Sequence, residues 1–187
     1  MQKVKAIFLD RDGVVNEYPG HGDYVKSPDE FRLLPGAVQA LEELSAAGFR
    51  LFIVSNQAGV AKGLYTDCDL RDMDDRLQQA LAGRAKLDGI YYCTHRKEED
   101  CPCRKPKTGL IDKAVSLLAG EGLSLDRSAS FFIGDSIPDM ETGRNAGLTT
   151  ILVFSGKEKP QNHKVWTTQP DRTAQDLSAA ARAILRK

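Results

Sequence analysis

Four short segments carry side chains able to do chemistry together. Asp10 and Asp12 flank Arg11 and precede Gly13. Ser55, Asn56 and Gln57 stand in a row. Arg104 and Lys105 form a basic pair, and Asp135 and Asp139 lie in Gly134-Asp135-Ser136-Ile137-Pro138-Asp139. A carboxylate can attack a phosphoryl group and form an aspartyl-phosphate. A second carboxylate can give a proton to the leaving oxygen and take one back from water. Acids gathered at one place repel one another unless a hard cation joins them, and Mg²⁺ takes oxygen ligands. Ser55 and Asn56 offer hydrogen-bond donors, and Lys105 or Lys107 a positive charge, for the phosphoryl oxygens. A lone Asp after a strand is usually a solvated turn; two pairs after two apolar runs point to a site.

A second constellation is Cys93, His95, Cys101 and Cys103. Three thiols and an imidazole suit tetrahedral Zn²⁺, whereas disulfides require an oxidising compartment. With all four positions filled by protein, such a site is structural. A zinc loop at about residues 93–103 would order the polar stretch 96–100 and aim Arg104 and Lys105, which follow it directly. Cys68 stands apart, at the opening of a helix.

The elements that must position these groups alternate. The apolar runs 4–9, 50–54, 130–133 and 150–154, with a weaker run at 90–92, read as strands buried on both faces. Helical faces are spaced at Val38, Leu41 and Leu44; at Leu70, Met73, Leu77 and Leu81 behind a Thr66–Asp69 capping box; at Ile111, Ala114, Val115 and Leu118; from Pro138; and from about Thr173 through Leu177, Ala181 and Ile184. This predicts an α/β fold, a doubly wound, Rossmann-like parallel sheet with helices on both faces. Ligands then sit beyond the carboxyl ends of the strands, where the four segments fall. Asp10 and Asp12, two residues apart in an extended exit, are expected to aim at one point. Trp166 is expected in a late strand.

With 187 residues the chain reads as one domain, 1–187. Basic and acidic residues number 26 each, so no basic stripe suggests a nucleic-acid partner. No apolar run suggests a membrane span, and no cleavage-site pattern suggests a signal peptide, so a cytoplasmic monomer is expected.

The segments Asp10-Arg11-Asp12-Gly13-Val14-Val15-Asn16, Val54-Ser55-Asn56-Gln57, Arg104-Lys105-Pro106 and Gly134-Asp135-Ser136-Ile137-Pro138-Asp139 resemble the four motifs of the haloacid-dehalogenase-like superfamily, in order and spacing. The chain is similar to the branch that holds heptose bisphosphate and histidinol-phosphate phosphatases, where the Cys/His cluster also occurs. The resemblance implies Asp10 as nucleophile and Asp12 as acid and base. It implies Mg²⁺ held by Asp10, by the Asp12 carbonyl and by Asp135. Ser55, Asn56 and Gln57 would then serve phosphate and substrate, with Lys105 neutralising charge, Arg104 recognising substrate and Asp139 bracing either Lys105 or the groups around the metal's ligands. It also implies a minimal cap and a small phosphorylated sugar as substrate, heptose 1,7-bisphosphate in surface-polysaccharide synthesis, with histidinol phosphate as the alternative. Ser136 departs from the Lys common in the heptose enzymes, while Asn56–Gly63 and Tyr24–Phe31 resemble them. A phospho-acceptor signalling domain also places an Asp at a parallel sheet edge, but Asp12 and the zinc loop argue against it.

Overall fold

The computed structural model describes residues 1–186. The residues Ala6–Leu9 are buried at every position, so they must lie inside a sheet covered on both faces. They form β2 of a six-stranded, all-parallel sheet. Its other strands are β3 (Arg50–Asn56), β4 (Gly89–Cys93), β6 (Phe131–Gly134), β7 (Thr149–Val153) and β8 (Arg172–Ala174), in the spatial order β4-β3-β2-β6-β7-β8. Strands β1 (Gln2–Val4) and β5 (Leu123–Leu125) pair in a separate two-stranded parallel ladder.

Alternation along the strands sorts the core into two layers. Ile7, Leu9, Leu51, Ile53 and Ile133 pack against α1 (Ala37–Ala46), α2 (Asp67–Leu81) and α5 (Leu177–Leu185). Ala6, Phe8, Phe52, Val54 and Phe132 pack on the opposite side with α3 (Gly109–Gly120). Helix α4 (Ile137–Asn145) covers that same side; a methyl at Gly143 would overlap Phe132 and Thr150. Helices therefore cover both faces, as the alternating pattern predicts.

The helix starts follow capping chemistry. Thr66 caps α2 by accepting from Asp69 N, and Asp69 returns the bond to Thr66 N. Ser136 and Asp139 form a second capping box at α4. Two expectations need correction. Residues 172–174 do not begin the last helix: they pair in register with β7, Ile151 opposite Arg172, and α5 starts after Asp176, whose side chain accepts from Ala179 N at 2.8 Å. Thr173 is β-branched and its neighbour strand offers unpaired main-chain groups, which outweighs helical periodicity. Trp166 lies in no strand; it follows a 3₁₀ turn, stacks on Phe154 and donates from Nε1 to Glu158 Oε2 at 2.9 Å.

No helix among the described residues is long and apolar enough to cross a membrane. Residues 10–36 and 57–66, which follow β2 and β3, run mainly as loops and turns, without a folded cap among the described residues.

Candidate active site

The chain builds β2, β3 and β4 outward in one direction, then returns to lay β6, β7 and β8 on the other flank of β2. Neighbouring strands on opposite sides of such a switch leave a crevice at their carboxyl ends. Asp10 follows β2, Ser55 and Asn56 close β3, Cys93 closes β4 and Asp135 follows β6. Three of the four segments read from the sequence thus meet at one edge, and Lys105 of the fourth reaches Asp10 there.

Carboxylate oxygens of Asp10, Asp135 and Asp139 lie within 4.8 Å of one another. Lys105 Nζ stands 2.9 Å from Asp10 Oδ1 and 2.6 Å from Asp139 Oδ1. Asp10 Oδ1 also accepts from Arg11 N at 2.8 Å. Asp139 Oδ2 accepts from Ser136 N at 3.1 Å and Ser136 Oγ at 2.6 Å, so one carboxylate both caps α4 and holds the lysine. Asp135 Oδ2 accepts from Lys157 N at 2.7 Å. Burial drives the carboxyl of Asp135 well above the usual range, and the charges of Asp10 and Asp139 push the same way against Lys157 N–H and Lys105. Asp139 is likewise raised by burial, with Lys105 opposing. For Lys105 burial favours the neutral amine, but Asp10 and Asp139 outweigh it and keep it charged. Three acids thus face one ammonium, and the surplus negative charge is what a divalent cation relieves. Two glycines make room for the central acid: a methyl at Gly13 or at Gly156 would overlap Asp135 Oδ2. The donor set is all oxygen and fits Mg²⁺.

Asp12 departs from expectation. Its carboxylate is absent from this cluster and has its own partners. Oδ1 accepts from Arg11 Nε at 3.1 Å and Asn16 Nδ2 at 2.9 Å; Oδ2 accepts from Gln57 Nε2 at 2.9 Å. Strand-like alternation fails here because the chain turns at once, with Val14, Val15 and Asn16 all donating to the Arg11 carbonyl. Arg11 is fully buried. Its guanidinium lies 5.7 Å from the Phe31 ring and 5.5 Å from that of Tyr92, close enough for cation–π attraction.

Gln57, expected to touch substrate, is fully buried and turned inward. Its Oε1 accepts from Tyr65 Oη at 2.5 Å and Arg11 at 3.2 Å, and its Nε2 donates to Asp12 Oδ2 and, at 3.2 Å, to Ser55 Oγ. Asn56 is also occupied: Oδ1 accepts from Lys105 N at 3.1 Å and Nδ2 donates to Lys105 O at 3.2 Å. Arg104 donates to the His95 carbonyl at 3.0 Å. Arg104, Lys105, Asn56, Lys97 and Pro138 line a cavity of about 480 Å³ beside the acids. Sequence reasoning missed Arg11, Asn16 and Tyr65. The only hint was an Arg between two acids just after a buried strand.

Cys93, His95, Cys101 and Cys103 converge as predicted. Sulfur–sulfur separations are 3.4 Å for Cys93–Cys101, 3.5 Å for Cys101–Cys103 and 3.2 Å for Cys93–Cys103. His95 Nδ1 lies 3.7 Å from Cys93 Sγ and 3.4 Å from Cys103 Sγ. A disulfide would need about 2.05 Å, and all four cysteines of the chain are free. Metal–sulfur arms of about 2.3 Å give tetrahedral edges of about 3.8 Å, so the donors form a slightly contracted zinc-sized tetrahedron. Burial pushes the Cys93 thiol up to about 12, so a cation is what would free it of its proton at neutral pH. The cluster joins the acid edge through main chain: the Cys93 carbonyl accepts from Gln57 N at 2.7 Å.

An acid cluster with a buried lysine, at the switch point of a doubly wound sheet, defines a hydrolase of the haloacid-dehalogenase-like class, and a HAD-hydrolase-like family model matches residues 102–180. The chain is 40% identical over 191 residues to D-glycero-D-manno-heptose-1,7-bisphosphate 7-phosphatase of Chlorobaculum tepidum, covering 96% of this chain and 94% of that one. It is 38% identical over 165 residues to the D-glycero-β-D-manno-heptose-1,7-bisphosphate 7-phosphatase of Escherichia coli K12, covering 83% and 82%. The crystal structure of D,D-heptose 1,7-bisphosphate phosphatase from B. bronchiseptica, complexed with magnesium and phosphate, superposes with a TM-score of 0.85 at 32% identity over 100% of this chain and 99% of that one. The chain belongs to the haloacid-dehalogenase-like hydrolases and, within them, to the family of these heptose bisphosphate phosphatases.

Proposed function

We propose that the chain is a Mg²⁺-dependent phosphatase that removes the 7-phosphate of D-glycero-D-manno-heptose 1,7-bisphosphate, in the synthesis of activated heptose for surface polysaccharide. The carrying observation is Asp10 itself: Oδ1 is held by Lys105 Nζ at 2.9 Å and by Arg11 N at 2.8 Å, and no donor reaches Oδ2 among the described residues. Oδ2 is therefore the oxygen available to attack. The relatives' names supply the substrate, and the magnesium and phosphate bound by the B. bronchiseptica enzyme support the metal.

In the first step Asp10 Oδ2 bonds to phosphorus, the bond from phosphorus to the sugar oxygen breaks, and Asp12 gives that oxygen its proton. In the second, water attacks the same phosphorus, its proton passes to Asp12, and the bond to Asp10 breaks to release inorganic phosphate. Lys105 balances charge on the phosphoryl oxygens and Ser55 donates to them. Mg²⁺ bound by Asp10, Asp135 and the Asp12 carbonyl would neutralise those oxygens and relieve repulsion among the acids. Zn²⁺ held by Cys93, His95, Cys101 and Cys103 would set the shape of the loop that presents Arg104 and Lys105.

The test is phosphate release from heptose 1,7-bisphosphate, histidinol phosphate and common sugar phosphates, with kcat/KM compared. The heptose substrate is expected to lead by roughly two orders of magnitude, and Asp10→Asn to abolish turnover. A lead for histidinol phosphate would reassign the substrate. Full steady-state activity in Asp10→Asn would end the mechanism.

A further inference from the structure

We propose that Tyr65, acting through Gln57, is a positioning residue that holds the Asp12 carboxylate in the orientation from which it exchanges protons with the substrate. The inference rests on the reading of Asp12 as acid and base.

The oxygen and nitrogen ends of the Gln57 amide are told apart by their partners. Arg11 is a donor only, and its guanidinium lies 3.2 Å from Gln57 Oε1. The oxygen must therefore face Arg11, and the NH₂ group must face Asp12. Tyr65 Oη, at 2.5 Å from that same oxygen, is then a donor as well. Burial raises the Tyr65 phenol above its ordinary range, so the donor proton stays in place. With Oε1 fixed from two sides, Nε2 has only one arrangement: it donates to Asp12 Oδ2 at 2.9 Å and to Ser55 Oγ at 3.2 Å. One amide thereby ties the proton-transfer group to the hydroxyl proposed to hold the phosphoryl group.

Tyr65 is itself rigidly placed. It is buried and immediately precedes the Thr66 cap of α2. Its ring lies so close over Gly59 that a methyl there would overlap it, and the Tyr24 ring packs at 6.0 Å on another side. Losing the phenol would leave Gln57 Oε1 with one donor, Arg11 at 3.2 Å, in place of two, so the amide that donates to Asp12 Oδ2 would be held less firmly in its orientation. Orientation errors of this size are expensive, about tenfold to a hundredfold in rate.

The discriminating readout is dependence on the leaving group. An alkoxide leaving a sugar phosphate needs a proton from Asp12, whereas p-nitrophenolate leaves without one, and kcat/KM reports only steps through the first chemical event. Tyr65→Phe is expected to lower kcat/KM for heptose 1,7-bisphosphate about tenfold, through kcat with KM nearly unchanged, and to leave that for p-nitrophenyl phosphate within about twofold of wild type. Gln57→Met also frees Ser55 Oγ, so it should lower kcat/KM on both substrates, and several-fold more on heptose 1,7-bisphosphate than on p-nitrophenyl phosphate. The double variant should be no worse than Gln57→Met alone, because residues acting in one line are not additive. Equal losses on both substrates, or additive losses in the double variant, would overturn the proposal. Asp12→Asn run beside them keeps the two ideas separate. If it shows no leaving-group selectivity, the acid–base reading fails; if it does while Tyr65→Phe matches wild type, only the positioning role fails.

Discussion

Asn56 grips Lys105 by its main chain, accepting from its N–H at 3.1 Å and donating to its carbonyl at 3.2 Å. The side chain at the end of β3 thus fixes the segment whose ammonium sits between Asp10 and Asp139. Asn56→Ala removes both bonds without touching a charge. Each is worth about 1 kcal/mol, so the fold should persist with a modest drop in melting temperature. Lys105 would lose its register against Asp10, and kcat should fall about a hundredfold. A variant with wild-type kcat would show that the ion pairs alone place the lysine.

The site's location was legible in the sequence because its cause is simple. Buried strands read as apolar runs, and the groups just past 9, 56 and 134 must meet once those runs are parallel neighbours. The zinc-type cluster was legible for a similar reason, since four soft ligands within one loop need no tertiary information to meet. What could not be read was direction. Arg11, a charged residue beside two acids, is among the largest fully buried side chains, because the adjacent Asp12 pairs with it and two aromatic rings, Phe31 and Tyr92, pack on it from segments far apart in sequence. Gln57 turns inward for a similar reason: its partner Arg11 comes from the loop after β2, and Tyr65 from the far end of its own loop. The Asp139 carboxylate looked like a brace and is also a cap, visible in hindsight as Ser136 followed three residues later by an acid. β8 is three residues long, too short for period to separate it from the start of a helix.

Zinc removal tests the link between the two clusters. Cys101→Ser should abolish stoichiometric zinc, because the structural set has no spare ligand. Arg104 bonds the His95 carbonyl at 3.0 Å and Lys105 follows at once, so turnover should fall about tenfold or more even at saturating Mg²⁺. Zinc content by atomic spectroscopy and kcat are measured on the same sample. Unchanged values for both would dismiss the site, and loss of zinc with full turnover would sever it from catalysis.

Asp74 offers a test in pH. Burial lifts its carboxyl to about 6, against the pull of the Tyr92 hydroxyl, which donates to it at 2.5 Å, and of Arg11. An unfolded Asp titrates near about 3.9, so the folded protein binds this proton more tightly. The group's contribution to stability is greatest below about pH 4, is lost as pH rises to about 6, and is constant above that. A two-unit shift corresponds to about 3 kcal/mol, reduced to about 1–2 kcal/mol by residual exposure to solvent. Asp74→Asn keeps an acceptor for Tyr92 and removes the titration. Urea unfolding at pH 7.5 should show that gain, and at pH 4 none. Equal effects at both values would mean that the carboxyl is not raised.

Gly156 bears on the metal. It has no need of a left-handed backbone, but a methyl there would overlap the Cβ, Cγ and Oδ2 of Asp135. Asp135 Oδ2 is also fixed by the bond it accepts from Lys157 N at 2.7 Å. Gly156→Ala must therefore push the carboxylate out of line with Asp10. Mg²⁺ activation should shift by about tenfold to a hundredfold toward higher concentration, and saturating Mg²⁺ should recover part of kcat. Gly120→Ala, where a methyl meets nothing within 4 Å, is the control for a harmless added methyl. Should Gly156→Ala titrate with Mg²⁺ as the control does, Asp135 is not a ligand, and the cation must be held by Asp10 and Asp139 instead.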